Sequence, residues 1–471
     1  MRWLIMSIAA ALILSSCASN KPSIEAIESL KVPANWTNTD LASTDSNWWN
    51  EFRSTSLDSI IKEAFANNYN LQVAASNLKA AAAQATIQGA DLFPQISADG
   101  SGSRRKQNFI GLPIPGSEGG VLTTENNTFG LNLSASWEID LWGRLWKQRS
   151  AGVSNFRAAE ADYRGAQLSL MAQVSKSWFS TIEARRQVEL AEATLRAFRN
   201  SYERTKQRYE AGLTSSLDMR RSLSNMASAE ATLSQRRSIY DTTLRQLEVL
   251  LGRYPAAQLQ TDKLLPQLEQ DIPSGLPADL IMRRPDLLAA EQRLLAAKAT
   301  TSSAKRALLP RISLTGSTGT STEELKDILS GDFSVWSIAG NILQPIFQGG
   351  RLRANVKLSK SQEEAQQAGY LQTALGAFAE VESALANEVF LRERETALVE
   401  ATEQAVAASE LAESQYTRGI IDYLSLLDTQ RSAYNTESQL ISVRRERLNA
   451  RIDLHVALGG GFESDYKPNN Q

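Results

Sequence analysis

A single histidine and a single cysteine limit the chemistry open to this 471-residue chain. One cysteine cannot close an intramolecular disulfide, and one histidine removes any multi-His metal site and the commonest general base. His455 stands alone near a helix end, where a structural role is expected. No phosphate-cradling glycine loop and no nucleophile motif accompanies it. The chain therefore reads as a non-enzyme, with no cofactor and no metal. With 50 Lys and Arg against 52 Asp and Glu, the formal net charge is −2. There is no global excess of positive charge to neutralise phosphates and no strong local patch to replace it, so nucleic acid is not an expected partner. What remains is covalent chemistry at the lone thiol, Cys17.

The residues around Cys17 give that thiol a context. Arg2 supplies a positive end, and Trp3 to Leu14 is an apolar run too short to remain as a membrane-spanning helix. Leu14-Ser15-Ser16-Cys17 closes it with small residues. The segment resembles a bacterial lipoprotein signal. That resemblance implies removal of residues 1–16, acylation of Cys17 as first mature residue, and an acylated extended segment over 17–55. By the same resemblance, Ala18 in place of Asp favours the outer membrane. Two or three acyl chains anchor stably where a single chain does not. An ordinary secretory signal with an incidental cysteine is the alternative.

An internal repeat organises the rest of the chain. Phe93-Pro94-Gln95-Ile96-Ser97 recurs as Leu309-Pro310-Arg311-Ile312-Ser313, an offset of 216, and Asn70-Leu71 recurs at the same offset as Asp286-Leu287. Gly143-Arg144 recurs as Gly350-Arg351, and Tyr209-Glu210-Ala211-Gly212 as Tyr416-Thr417-Arg418-Gly419, both at an offset of 207. The nine-residue change lies where the first copy carries a Gly/Pro-rich insert, Gly111 to Gly120. One module is used twice, over residues 56–251 and 278–458. Residues 252–277, with four of the thirteen prolines, read as a connector, and 459–471 as a tail.

Proline placement shapes each module. None occurs between Pro115 and Pro255 or between Pro345 and Pro468, and these windows are rich in Ala, Leu, Glu, Gln and Arg at helical spacing. Lys147 to Glu210 and Leu352 to Thr417 read as helices of roughly 65 residues, about 100 Å each at 1.5 Å per residue. Each ends at a glycine, Gly212 or Gly419, and a second helix of roughly 35 residues follows, making a long hairpin. The small-residue stripe Ala401, Ala405, Ala408 and Ala412 beside Glu403, Glu410 and Glu413 suits close packing in a wall with a wet surface.

Between a shorter helix and the hairpin, each module changes texture. From Thr128 to Asp140, Phe129, Leu131, Leu133, Ala135, Trp137 and Ile139 alternate with Gly130, Asn132, Ser134, Ser136 and Glu138, a strand signal. Gln95 to Lys106 is the expected partner, so the first β-hairpin covers about 95–140 and the second about 311–343, through Arg311–Thr320 and Val335–Leu343. The segments have the length of tilted membrane strands, with Trp137, Trp142, Trp336 and Phe347 near their ends. Hairpins of a soluble sandwich are the alternative. Four strands cannot close a barrel, and an open edge in lipid leaves backbone groups unpaired. Two, three or four chains pooling strands would give eight, twelve or sixteen.

Together, these features resemble the TolC and OprM-like outer-membrane efflux channels, in particular the NodT-type lipoprotein branch that serves RND pumps. Trp48-Trp49 with Phe52 and Leu57, Arg283-Arg284-Pro285-Asp286-Leu287, Leu309 to Leu314, and Tyr416 through Arg431 carry the likeness, in order and duplicated. The resemblance implies a mainly α protein with membrane β-structure. In it, a homotrimer forms a 12-stranded outer-membrane barrel continued by a periplasmic α-helical barrel, with two structural repeats per chain. It implies a periplasmic adaptor and an inner-membrane pump of the proton-driven RND class as partners, contact with outer-membrane lipid, and passive export of drugs or similar small compounds. The family pattern Gly-x4-Leu-x3-Asp-x2-Arg places a periplasmic gate at Leu424, Asp428 and Arg431. The family's further acidic position is Ser425 here, so a two-tier acidic ring is not expected. Subtracting 207 sets Arg221 opposite Asp428 and Asp218 opposite Ser425, which suggests inter-repeat ion pairs in the closed state. The tips Gly212, Leu213, Thr214 and Arg418, Gly419, Ile420 would dock the adaptor. A periplasmic scaffold or adaptor lipoprotein, or a type I secretion duct within the family, are the other readings.

Overall fold

The computed structural model describes residues 48–109, 122–268 and 283–460. The signal segment, Cys17, the insert Gly111 to Gly120, the last part of the connector and the tail beyond residue 460 lie outside the described residues. A 3-10 turn, Trp48–Phe52, is followed by α1 (Thr55–Asn67), α2 (Tyr69–Ala90), β1 (Gln95–Phe109), β2 (Leu122–Ile139), α3 (Arg144–Glu210) and α4 (Ser216–Leu250). The second module holds α5 (Pro285–Arg306), β3 (Arg311–Thr322), β4 (Ser334–Leu343), α6 (Arg351–Thr417) and α7 (Tyr423–Ala457). The repeat is visible in element lengths: α2 and α5 have 22 residues each, α3 and α6 have 67, and α4 and α7 have 35.

Three features differ from the expected layout. The short helix of the first module is two helices, because Asn68 leaves the helical region (φ −67°, ψ 121°). Its Oδ1 accepts from the Leu71 amide at 3.0 Å and its Nδ2 donates to the Leu250 carbonyl at 2.8 Å, which compensates the broken ladder. The first β-hairpin runs past Lys106 and Thr128 to Phe109 and Leu122. Polar cross-strand pairs such as Thr123–Asn108 (3.2 Å) continue the ladder where apolar alternation has ended. The N-terminal segment is not extended at its described end: Trp48 and Phe52 are buried in the turn.

Two units can be distinguished among the described residues: 48–76, 161–268, 283–289 and 370–460 form one, and 77–109, 122–160 and 290–369 the other. In the first, Trp48, Phe52 and Leu57 pack with Trp178, Phe179 and Ile182 of α3, Leu247 of α4, and Leu448 and Ile452 of α7. Beside this core, a row of charges, buried at Arg451 and Glu388, alternates in sign. Glu51 contacts Arg451 and, at 2.8 Å, His455 Nε2. Arg451 reaches Glu388 (3.1 Å), Glu388 accepts from Arg447 (3.3 Å), and Glu395 accepts from Arg447 (2.9 Å) and Arg444 (3.2 Å). Arg444, Arg447, Arg451 and His455 share one face of α7, and pairing is what makes the burial of Arg451 and Glu388 tolerable. Trp48 stacks on His455 with ring centroids 5.2 Å apart, so the lone histidine is a packing and hydrogen-bonding residue. Arg284 donates to the Ala457 carbonyl (3.0 Å) and pairs with Asp286 and Glu380 (both 2.7 Å), which gives the Arg-Arg-Pro-Asp-Leu motif a structural job.

The second unit holds one antiparallel sheet in the order β1-β2-β3-β4. One face carries Ile96, Leu131, Leu133, Trp137, Leu314, Trp336, Ile338 and Ile342, all exposed in the single chain. On the other face, Ser97, Ser134, Ser317 and Ser337 stand in one row across all four strands, bonded pairwise at 2.8 Å. Trp137 donates to the Leu92 carbonyl (3.0 Å) and Trp142 to the Pro310 carbonyl (2.8 Å), fixing two indoles at the ends of the strands. Trp336 lies inside β4, opposite Thr318. The outer edges of β1 and β4 have no strand partner among the described residues. No helix among the described residues is long and apolar enough to cross a membrane.

Candidate functional site

Both hairpin turns are built the same way. Gly212 (φ +71°) donates to the Tyr209 carbonyl at 2.9 Å and Leu213 to the Arg208 carbonyl at 2.7 Å. Gly419 (φ +76°) donates to Tyr416 and Ile420 to Gln415, both at 3.0 Å. These are Schellman-type ends, which need a left-handed residue and so take glycine. The next helix is capped at once. Ser215 Oγ accepts from the Asp218 amide (3.1 Å), and Asp422 accepts from the Ser425 amide (2.8 Å). Hydrogen bonds from Ser425, side chain first and then backbone, hold the Asp422 carboxyl below its ordinary range. Leu213 (67% exposed) and Ile420 (63%) point outward with Gly212, Arg418 and Gly419, while Thr214 is half-buried.

Behind the tips, the two hairpins are joined by buried aromatics. Tyr416 and Tyr423 meet edge to face at 6.1 Å, with Leu426 and Leu427 in the core shared with Leu195, Phe198 and Ala229. The Tyr416 hydroxyl bonds Thr205 Oγ1 at 2.9 Å, and Gln430 donates to Ser201 at 3.1 Å. Leu424 (46% exposed), Asp428 and Arg431 lie on the exposed face of α7, four and three residues apart, so the expected gate residues do share a surface.

The expected inter-repeat ion pairs at Asp218 and Asp428 are not formed within the chain. Asp218 turns back on its own helix start and accepts from Thr214 Oγ1 (3.0 Å) and Ser215 Oγ (2.8 Å). Asp428 and Arg221 make no ion pair or side-chain hydrogen bond among the described residues of this chain. The link between repeats is instead neutral on one side: Arg431 Nη2 donates to Asn225 Oδ1 at 2.7 Å, and Asn225 Nδ2 donates to the Tyr423 hydroxyl at 3.3 Å. Burial raises the Tyr423 phenol above its ordinary value against the opposing Asn225 bond, so the hydroxyl stays neutral. Arg431 and Asn225 also line a cavity of about 160 Å³ between α3, α4 and α7. Asn225 escaped sequence reasoning, although a signal existed. Ser222, Asn225, Ala229 and Leu233 form the inward stripe of α4, and a polar member of a buried stripe needs a partner.

No group of His, Cys, Asp and Glu among the described residues could hold a metal ion. The arrangement exposes carboxylate and guanidinium groups on one face of the α7 start.

Residues 60–253 and 276–460 match the model of the outer membrane efflux protein family. The chain is 32% identical over 440 residues to the probable efflux pump outer membrane protein TtgC of Pseudomonas putida, spanning 92% of this chain and 88% of TtgC. It is 36% identical over 407 residues to outer membrane protein OprJ of Pseudomonas aeruginosa, spanning 86% of this chain and 84% of OprJ. Among solved structures, the Campylobacter jejuni CmeC outer membrane channel is similar with a TM-score of 0.85 at 25% identity, over 91% of each chain. The outer-membrane channel OprN is similar with a TM-score of 0.83 at 28% identity, over 91% of this chain and 97% of OprN. The duplicated hairpins, the single four-stranded sheet and the tip sequence thus have one common explanation: the chain belongs to the outer membrane efflux protein family.

Proposed function

We infer that this chain is the outer-membrane channel of a tripartite efflux system, through which small toxic compounds pass passively after delivery by an inner-membrane pump and a periplasmic adaptor. The observation that carries this reading is the sheet. Its four strands have an apolar face and a hydroxyl-rich face, and neither edge has a strand partner among the described residues. A hydrocarbon surround requires those edges to be closed, and a single chain has too few strands to close them. Three chains would supply twelve strands, apolar side outward, with the serine rows lining the bore. The paired 67-residue helices would continue the wall into the periplasm, in keeping with the family.

In that assembly the hairpin tips form the periplasmic entrance. Leu424, Asp428 and Arg431 line the gate, with the leucines excluding water and the carboxylates selecting by charge. Asp428 and Arg221, which form no ion pair among the described residues, are available to a neighbouring protomer. The segments Gly212 to Thr214 and Arg418 to Ile420 dock the adaptor. Acylation of Cys17 holds the N-terminal end to the outer membrane. Relatives named for antibiotic and toluene efflux support drugs and solvents as the substrate class.

The test is direct. Protein purified in detergent should run as a heat-resistant trimer and give discrete conductance steps in planar bilayers, and deletion of the gene should sensitise cells to a defined set of compounds. A monomer that conducts no ions would overturn the reading.

A further inference from the structure

The outward face of the first β-hairpin changes character at a definite height. Along β2, that face runs from Ile139 through Trp137, Ala135, Leu133 and Leu131 to Phe129. These ten steps at about 3.4 Å, tilted by about 45°, rise about 24 Å, close to the roughly 25 Å apolar band of an outer-membrane barrel. The next two rows on the same face are Arg104 opposite Asn127 and Lys106 opposite Glu125. The rows sit about 5 and 10 Å beyond the apolar band by the same arithmetic, the level of lipid headgroups. The Arg104 and Lys106 side chains are 75% and 61% exposed. Glu125 lies between them, 2.9 Å from Arg104 and 3.5 Å from Lys106, and holds both cations on one patch that keeps a net positive charge. Arg105, opposite Asn126, is on the reverse face.

We propose that Arg104 and Lys106 form a docking surface for the phosphate groups of the glycolipid that makes up the outer leaflet of the outer membrane. The proposal rests on the channel reading, which puts this face in lipid. A phosphorylated headgroup beside the strand meets a guanidinium capable of a two-pronged contact and an ammonium about 7 Å further along the strand, a spacing suited to a polar head larger than one phosphate. Apolar side chains directly beneath, from Phe129 to Leu133, receive the acyl chains of the same molecule. The surface needs both cations on the outward face, which the strand register provides and composition alone does not.

The experiment compares glycolipid that stays with the full-length protein extracted from its own membrane in mild non-ionic detergent, measured per chain by native mass spectrometry. The double variant Arg104→Ala/Lys106→Ala should lose at least three quarters of the glycolipid that the wild type retains. Arg105→Ala, which removes a neighbouring charge from the opposite face, should retain it, and so should the swap Arg104→Lys/Lys106→Arg. Unchanged retention in the double variant overturns the proposal, as does an equal loss in Arg105→Ala or retention of phosphatidylglycerol in place of the glycolipid. Planar-bilayer conductance of each sample separates the two levels of inference. A conducting protein whose glycolipid ignores residues 104 and 106 refutes the docking surface alone, and a wild type that neither conducts nor carries glycolipid refutes the channel reading as well.

Discussion

Replacing Arg431 with alanine removes the guanidinium end of a side-chain link between α4 and α7 behind the tips. Arg431 donates to Asn225 Oδ1 at 2.7 Å, and Asn225 is buried and bonds Tyr423 as well. A hydrogen bond to a charged group contributes about 1.5–3 kcal/mol, and the solvent exposure of Arg431 reduces this to about 1 kcal/mol. In the proposed trimer the loss would enter three times. A shift of about 3 kcal/mol changes the ratio of closed to open tips on the order of 100-fold. Single-channel recordings of Arg431→Ala should therefore show longer or larger openings, and cells carrying it should become more sensitive to vancomycin. Asn225→Ala, which also loses the bond to the Tyr423 hydroxyl, should do at least as much, and the double variant should add little to Asn225→Ala, because the Arg431 contact is already gone. If both single variants gate like wild type, or if their effects add in the double variant, the Asn225–Arg431 contact does not hold the entrance closed.

Further outcomes follow from the same geometry. Charge reversal Asp428→Arg should raise single-channel conductance or vancomycin sensitivity, and unchanged values in both assays would remove Asp428 from the gate. Burial works against the charged form of Glu248, but amides of Ala257 (2.6 Å), Gln258 (2.8 Å) and Leu259 (3.1 Å) outweigh it and bring its pKa below the ordinary 4.5. A depressed carboxylate pKa stabilises the fold above the ordinary value, and that contribution fades as pH falls through the folded one. Glu248→Gln should thus lower the unfolding midpoint at pH 7, by about 1–3 kcal/mol in stability, and the gap to wild type should narrow below about pH 4.5; a pH-independent gap would contradict this. Gly212→Ala should cost only about 1 kcal/mol, since nothing lies within 4 Å of an added Cβ, whereas at Gly252 the Cβ would meet the Asn67 carbonyl at 2.6 Å and should cost about 3 kcal/mol or more. Equal melting of the two variants would show that the turn at Gly252 can shift. Cys17→Ser should abolish incorporation of labelled palmitate, and retained label would locate acylation elsewhere.

The parts of the fold written locally in the chain were legible in the sequence. Long windows without proline, ended by glycine, marked α3 and α6, and the duplicated landmarks fixed the 207-residue relation that separates α3 from α6 and α4 from α7. Strict alternation found the lower part of β2. It missed the upper part, where both faces are polar and only cross-strand pairing, such as Arg104 with Glu125, holds the ladder. Partners far apart in the chain were harder to read. The spacing of Arg444, Arg447, Arg451 and His455 is visible on one helix, but Glu51 lies 400 residues from Arg451, and nothing local announces that acid. At the tips, Leu424, Asp428 and Arg431 were picked out by the family pattern, and their four- and three-residue spacing sets them on one exposed face of α7. Charge opposition between repeats suggested ion pairs that do not form inside the chain, because Asp218 is already committed to its own helix start.

The repeat also shows why equivalent positions need not carry equivalent chemistry. Adding 207 to Glu248 gives His455, and each lies four residues before a left-handed glycine, Gly252 or Gly459. Glu248 fastens the chain leaving α4 by accepting from three consecutive amides, which only an acceptor can do. His455 fastens a different strand of chain, the N-terminal turn, through the carboxylate of Glu51, and a second carboxylate there would be repelled. Imidazole meets the need because it can donate from Nε2 while its ring face packs on Trp48. What the two modules share at this position is the task of tying a neighbouring segment to the end of the hairpin. The partner that arrives decides the side chain. The same logic applies behind the tips. Subtracting 207 from Arg431 gives position 224, one residue from Asn225, so the link joins positions nearly equivalent in the two repeats. Two arginines there would set donor against donor, whereas arginine and asparagine complete a bond.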